Sequence, residues 1–104
     1  MTTYLNLEMA ATEEMLKLAL EIRPDTVTLV AEGPREITTE GGLNVRANIA
    51  IIRAAVSRLR EGGIIASLFI DPDPAQIETA REVNAQQIEL CTSAYAEGLS
   101  LIHI

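Results

Sequence analysis

Apolar and polar positions follow two periods along the chain, one typical of strands and one typical of helices. Four short segments with alternating or continuous apolar character predict strands over residues 4–9, 26–30, 64–70 and 87–91. Three segments with apolar residues at helical spacing lie between them, over residues 15–22, 49–59 and 75–83. The order βαβαβαβ predicts an α/β protein with a parallel sheet and right-handed crossovers.

Residues with helix-capping chemistry mark where the first and third helices begin. Thr12 precedes two acidic residues, which the helix dipole favours in a first turn. Asp73 is a good N-cap and Pro74 a good first helical residue, so we interpret the Asp71–Asp73 region as a turn and cap rather than as a metal or phosphoryl-acceptor cluster.

The longest predicted loop covers residues 31–44 and contains three glycines and one proline. It follows a strand and precedes a helix. Loops of this length in compact domains are usually functional or mobile, so this one fits an active-site lid.

Composition limits the classes of partner. The apolar fraction is 48% and the aromatic fraction 3%, which predicts one domain with an aliphatic core. The formal charge of −7, without a basic cluster, argues against nucleic acid and anionic membranes as partners. A single cysteine, Cys91, and the lack of a signal sequence predict a soluble cytoplasmic protein in which Cys91 is a small buried residue.

Polar residues near strand ends are the candidate site, because ligands of parallel α/β proteins gather at the carboxyl ends of strands. Glu8 has apolar neighbours, so a partly desolvated general base and a sheet-edge or ion-paired residue are both open. Glu89 points either into a barrel or to solvent or a helix partner. Thr38 precedes two glycines that could cradle a phosphate, although an ordinary flexible turn is the more common reading of that pattern.

Four blocks of sequence, in this order and at this spacing, resemble the pyridoxine 5′-phosphate synthase family. The resemblance covers about residues 5–97. The blocks are Leu5-Asn6-Leu7-Glu8-Met9-Ala10 with Thr12-Glu13-Glu14-Met15; Glu36-Ile37-Thr38-Thr39-Glu40-Gly41-Gly42-Leu43-Asn44-Val45; Ser67-Leu68-Phe69-Ile70-Asp71; and Ile88-Glu89-Leu90-Cys91-Thr92 with Tyr95-Ala96.

The resemblance implies a TIM barrel, a (β/α)8 fold, and an enzyme of vitamin B6 synthesis. That family condenses 1-deoxy-D-xylulose 5-phosphate with 3-amino-2-oxopropyl phosphate, and the resemblance implies no metal or organic cofactor. Carried over by motif, Glu8 is the general base and Glu89 stabilises the transition state. Thr38 contacts the deoxyxylulose phosphate from a loop that closes over the site.

The chain also departs from the family pattern. Cys91-Thr92-Ser93 replaces the usual His-Thr-Gly, and the family's early Asp-His and His-Leu-Arg motifs and late Gly-His motifs are absent. Four strands cannot close an eight-stranded barrel. We therefore expect residues 1–97 to be a partial TIM barrel, inactive alone, from a homo-oligomeric parent. Residues 98–104 are a strand or a tail foreign to the family, and the second reading is slightly favoured.

Two other hypotheses compete with this one. The chain could be a non-catalytic half-barrel that self-associates through exposed sheet edges. It could also be a phosphoryl-receiver domain, but receivers need clustered acids after the first strand and a strand-end lysine. Here Glu8 stands alone and Lys17 falls in a helix, so this hypothesis ranks last.

Overall fold

A computed structural model describes residues 4–92 and 98–103. Ser93 and the Tyr95-Ala96 pair of the family resemblance lie outside the described residues. The elements in chain order are β1 (Asn6–Met9), α1 (Glu13–Ile22), β2 (Thr26–Leu29), a 3₁₀ turn (Arg46–Asn48), α2 (Ile49–Glu61), β3 (Ile65–Ile70), α3 (Pro74–Glu82), β4 (Gln87–Thr92) and β5 (Gly98–His103). No helix in the described part of the chain has the length and apolar composition needed to cross a membrane.

The strands form one sheet in sequence order, from β1 at one edge to β5 at the other. The pairings β1–β2, β2–β3 and β3–β4 are parallel, which confirms the predicted fold class of four parallel strands alternating with helices. β5 pairs with β4 in the antiparallel direction. Residues 98–103 therefore form a strand, but not the further parallel strand that would continue a barrel.

The predicted helix ends are confirmed with small shifts. The Thr12 hydroxyl accepts a hydrogen bond from the Met15 amide at the start of α1. α1 ends at Ile22, where Arg23 takes the left-handed conformation with φ 55°. The Asp73 carboxylate accepts from the Ala75 amide, with Pro74 as the first residue of α3. The predicted cap at Asp73 is therefore confirmed.

Side chains alternate between the two faces of the sheet, and the sequence separates them by polarity. One face is apolar and joins the helices in a single buried core, with strand residues Met9, Val27, Leu29, Ala66, Leu68, Ile70 and Ile88 against helix residues Leu16, Ala19, Ile52, Ala55, Val56, Leu59 and Ala80. The other face carries Asn6, Glu8, Thr26, Thr28, Ser67, Gln87 and Glu89 together with Ile65 and Phe69. Burial of apolar surface against the helices thus fixes the direction of the polar side chains.

The sheet is strongly curved, with the polar side chains on its inner side. β1 and β4 are three strand spacings apart, about 14 Å in a flat sheet. Nevertheless the Asn6 side-chain amide on β1 donates to the Glu89 carboxylate on β4 at 3.2 Å. Since side chains stand roughly perpendicular to a sheet, this contact requires the two strands to bend toward each other. We call this inner side the concave polar face.

Candidate functional site

Glu89 lies on β4 and belongs to the concave polar face. Its side chain is only 4% exposed, so the alternative that it points to solvent is wrong. Its Oε1 accepts hydrogen bonds from the Thr28 hydroxyl at 2.8 Å and from the Asn6 amide at 3.2 Å. A buried carboxylate needs such donors because it has lost its hydration. On the described strands β1–β4, none of the residues of this face is Lys or Arg, so uncharged groups stabilise the charge.

Glu8 lies on the same face as Glu89, in register with Thr28 on the neighbouring strand. The two predicted acids therefore share one face and are not on opposite surfaces. The Glu8 side chain is exposed, so of the two readings that the sequence left open the structure shows the sheet-edge residue and not the partly desolvated carboxylate. The reason is topological: β1 is the edge of the sheet, and an edge strand has a neighbour on one side only.

Residues 38–42, the TTEGG loop, form a tight ordered turn. An isolated antiparallel bridge between Ile37 and Leu43 closes its base. The Thr38 amide donates to the Gly42 carbonyl at 2.9 Å, and the Thr38 hydroxyl accepts from the Gly42 amide at 3.1 Å. Thr38, the predicted substrate contact, therefore also stabilises the turn.

The TTEGG loop packs on the carboxyl ends of β3 and β4. The Gly42 amide donates to the Asp71 carboxylate at 3.0 Å, and the Leu43 amide donates to the Phe69 carbonyl at 2.7 Å. The Cys91 thiol donates to the Glu40 carbonyl at 3.3 Å. Cys91 is two residues beyond Glu89 on the same strand and face, so the loop lies at the end of the concave polar face that ligands of parallel sheets occupy.

Two candidate residues have different surroundings from those predicted. Cys91 is half-buried and hydrogen-bonded to the loop, so the prediction of a small buried residue is wrong. Asp71 is 3% exposed and binds the TTEGG loop rather than forming only part of a turn. His103, to which the sequence assigned no role, lies in β5.

Sequence reasoning missed the partners of Glu89. Asn6 lies two residues before Glu8, so the alternation of side chains along a strand would have placed both on one face. Thr28 shares that face because it is the register partner of Glu8 on β2. Gln76 was also missed: its Oε1 accepts from the Val45 amide at 2.9 Å, and its Nε2 donates to the Asn44 side chain at 3.0 Å. No local pattern signals this link between α3 and the end of the long loop.

Together, the parallel βα units, the curved sheet and the acids on its inner face define the class of protein. It is an α/β protein built as part of a (β/α)8 barrel, with its candidate site at the carboxyl ends of the strands. Residues 1–101 match the family described as pyridoxal phosphate biosynthesis protein PdxJ, and the chain belongs to that family.

Similar curated proteins carry the name pyridoxine 5′-phosphate synthase. The protein of Geotalea uraniireducens is 57% identical over 96 residues, which are 92% of this chain and 40% of the relative. The protein of a Synechococcus strain is 57% identical over 98 residues, 94% of this chain and 41% of the relative. The protein of Nostoc punctiforme is 58% identical over 96 residues, again 92% and 40%. The chain thus spans about two fifths of the length of these relatives.

Proposed function

We propose that this chain supplies one part of the active site of a cytoplasmic pyridoxine 5′-phosphate synthase. The reaction joins 1-deoxy-D-xylulose 5-phosphate to 3-amino-2-oxopropyl phosphate. The observation that carries the proposal is the buried Glu89 carboxylate, hydrogen-bonded on the concave polar face below the TTEGG loop. The family membership of the chain supports the same reaction.

Glu89 stabilises positive charge that develops during the condensation. Imine formation and dehydration pass through protonated nitrogen and oxygen species. A fixed carboxylate in a buried site interacts with such charge more strongly than one in water, because little solvent reorganises around it. The neutral donors Thr28 and Asn6 fix its place without cancelling its charge.

Glu8 accepts and returns protons as the general base. Ring closure requires several proton transfers, and the position of Glu8 on the same face as Glu89 supports a part in them. Glu8 is exposed because it lies on β1, an edge strand of the sheet. Pairing of β1 with a further strand in a longer parent would cover Glu8 and bring its carboxylate into a less hydrated environment.

Thr38 and the TTEGG loop bind a substrate phosphate. The chain carries a net charge of −7, so a phosphate must be held by local donors rather than by the overall field. Backbone amides beside glycines and a threonine hydroxyl are such donors. The Thr38 hydroxyl accepts from Gly42 and keeps its own hydrogen for a phosphate oxygen. The amides of Gly41 and Gly42 already donate to the Thr38 carbonyl and the Asp71 carboxylate, so their use by a phosphate requires the turn to rearrange, as expected of a loop that closes over a site.

The test compares the isolated chain with a chimera. In the chimera, this chain replaces the matching segment of the Geotalea uraniireducens protein, to which it is 57% identical. With both phosphate substrates, we expect pyridoxine 5′-phosphate from the chimera and none from the isolated chain. Glu8→Gln and Glu89→Gln should each lower kcat of the chimera by about 100-fold or more. Glu21→Gln, an exposed acid on α1, is the matched control.

Each arm can contradict a different part of the proposal. Turnover by the isolated chain would show that it is not an incomplete site. Wild-type kcat in both the Glu8→Gln and Glu89→Gln chimeras would show that the two acids do not take part in the reaction.

A second candidate function is a non-catalytic half-barrel that self-associates. It is favoured by the open edge of β1, since exposed apolar side chains lie beside this edge, before β1 and on α1. Leu5 is 47% exposed, Leu18 43% and Ile22 50%. Self-association without any contribution to turnover in the chimera would favour this candidate over the enzyme.

A further inference from the structure

We infer that Thr28 and Asn6 are positioning residues, which set the place of the Glu89 carboxylate for the reaction. The inference rests on the proposed function, because it assigns to these two residues a role that acts through Glu89. Neither residue is among the predicted site residues.

The three side chains lie within hydrogen-bond distance of one another in a triangle, in which the single Thr28 hydroxyl hydrogen donates to Glu89, the shorter of its two contacts. The Thr28 hydroxyl lies 2.8 Å from Glu89 Oε1 and 3.1 Å from Asn6 Oδ1, and the Asn6 amide nitrogen lies 3.2 Å from the same Glu89 oxygen. The bond between Thr28 and Glu89 is buried. Thr28 itself is 0% exposed, so water does not compete for its hydroxyl.

A glutamate in this position needs such support. Its side chain has several rotatable bonds, and a displacement of about 1 Å in a catalytic group can cost roughly 100-fold in rate. Hydrogen bonds from two other strands restrict the carboxylate to one place on the concave polar face.

The triangle also fixes the distance between the two proposed catalytic acids. Asn6 and Glu8 lie on the same face of β1, two residues apart, so the strand that carries Glu8 is bound directly to the Glu89 side chain. Thr28 is the register partner of Glu8 and binds the same carboxylate. The network therefore orients β1 and β4 toward each other across the concave polar face.

The test uses the chimera and four substitutions. Thr28→Val removes the hydroxyl with little change in shape, and Thr28→Ser restores it. Asn6→Ala removes the amide. Thr26→Val is the matched control, because Thr26 is equally buried on the same strand and face but its hydroxyl binds the Tyr4 hydroxyl and not Glu89. Thermal melting of every variant identifies losses that come from unfolding.

We expect Thr28→Val to lower kcat about tenfold, the effect of one hydrogen bond to a charged group, with KM changed by less than about twofold. Asn6→Ala should lower kcat by about threefold, as its bond is longer and less buried. Thr28→Ser should recover most of the activity, and Thr26→Val should keep it. In a Glu89→Gln background, Thr28→Val should have little further effect, because its action passes through the carboxylate.

The outcomes separate this inference from the proposed function. If Glu89→Gln keeps full activity, the role of Glu89 is wrong. If Glu89→Gln loses activity but Thr28→Val keeps wild-type kcat, Glu89 is catalytic and the positioning inference is wrong. If Thr28→Val lowers kcat by the same factor in the parent chimera and in the Glu89→Gln background, the positioning inference is also wrong. Should Thr28→Val unfold the chimera, the Glu89 carboxyl ¹³C resonance of the isolated chain decides. It must shift with Asn6→Ala, which removes a donor to Glu89, and must not shift with the control Thr26→Val.

Discussion

Gly42 is the residue at which the TTEGG loop approaches β3 most closely. A Cβ at this position would lie 2.6 Å from the Asp71 Oδ1 atom and 2.7 Å from the Asp71 amide nitrogen. Both distances are far below van der Waals contact, and one of the atoms belongs to the backbone. Only glycine therefore allows the loop to pack on the end of the strand and to donate its amide to Asp71.

Gly42→Ala should lower the free energy of unfolding by about 1–3 kcal/mol, the usual cost of a group that has no space. Chemical denaturation of the chain measures it. Gly33→Ala, in the long loop of residues 31–44 but outside the TTEGG loop, is the control, since a Cβ there meets nothing within 4 Å, and it should change stability by less than about 0.5 kcal/mol. Equal effects from the two substitutions would mean that the loop is not packed on Asp71.

Ser67 lies on the concave polar face with its side chain fully buried. Among the described residues its Oγ has no hydrogen-bond partner. Ser67→Ala should therefore leave the free energy of unfolding within about 0.5 kcal/mol of the parent or raise it, because no bond is lost. Thr28→Val, which removes a buried bond to a carboxylate, should cost about 1–3 kcal/mol in the same assay. A Ser67→Ala loss as large as that of Thr28→Val would contradict this account.

The direction of Glu89 could be predicted from the sequence, but the surroundings of Glu8 could not. Alternation with Ile88 and Leu90 places Glu89 on the face opposite the core, whichever strands are present. Exposure of Glu8 depends instead on whether another strand pairs with β1. The bonds from Thr28 and Asn6 were also beyond prediction, since they depend on sheet curvature summed over three strand pairs.

At the scale of elements, α3 stabilises the end of the long loop through one side chain. Gln76 is 5% exposed, and its Oε1 accepts from the Val45 amide at 2.9 Å and the Arg46 amide at 3.3 Å. These amides lie at the start of the 3₁₀ turn that leads into α2, so the approach to α2 depends on a residue of the next helix. The capping residues of α1 and α3 were predictable because caps are local, whereas this link joins residues that are far apart in sequence.

Gln76→Ala should lower the free energy of unfolding by about 1–3 kcal/mol, because it leaves a buried backbone donor without its acceptor. Amide hydrogen exchange should quicken at Val45 and Arg46 more than in the strands. Glu78→Ala is the control on the same helix. Its ion pair with Arg81 is long, at 3.8 Å, and both side chains are 66% exposed, so its removal should have little effect. Unchanged exchange at Val45 in Gln76→Ala would contradict the proposed link.

At the scale of the whole molecule, the chain is a curved sheet with helices on its outer, apolar side, and β1 forms one of its two edges. The alternation of strands and helices predicted a parallel sheet, whereas the sequential order of its strands is what the resemblance to a barrel family implied. The antiparallel direction of β5 was not predictable, because strand pattern indicates that a segment is extended but not which way it runs along its neighbour. The open edge of β1 and its exposed apolar side chains predict association in solution.

The isolated chain should self-associate at micromolar concentrations, as measured by light scattering. Leu18→Glu combined with Ile22→Glu should shift it toward the monomer, because charges on α1 oppose burial of that surface. Ile51→Glu on α2, where Ile51 is 58% exposed, is the control and should leave the association unchanged. A wild-type chain that stays monomeric at high concentration would contradict association through this edge.

The central claim is that Glu8 and Glu89 act on one substrate across the concave polar face, below the TTEGG loop. A crystal structure of the chimera with pyridoxine 5′-phosphate bound tests it directly. We expect the pyridine ring between the two carboxylates, with Glu89 still bonded to Thr28 and the TTEGG loop over the ring. A product bound away from this face, or a Glu8 carboxylate that points away from the ring, would contradict the account.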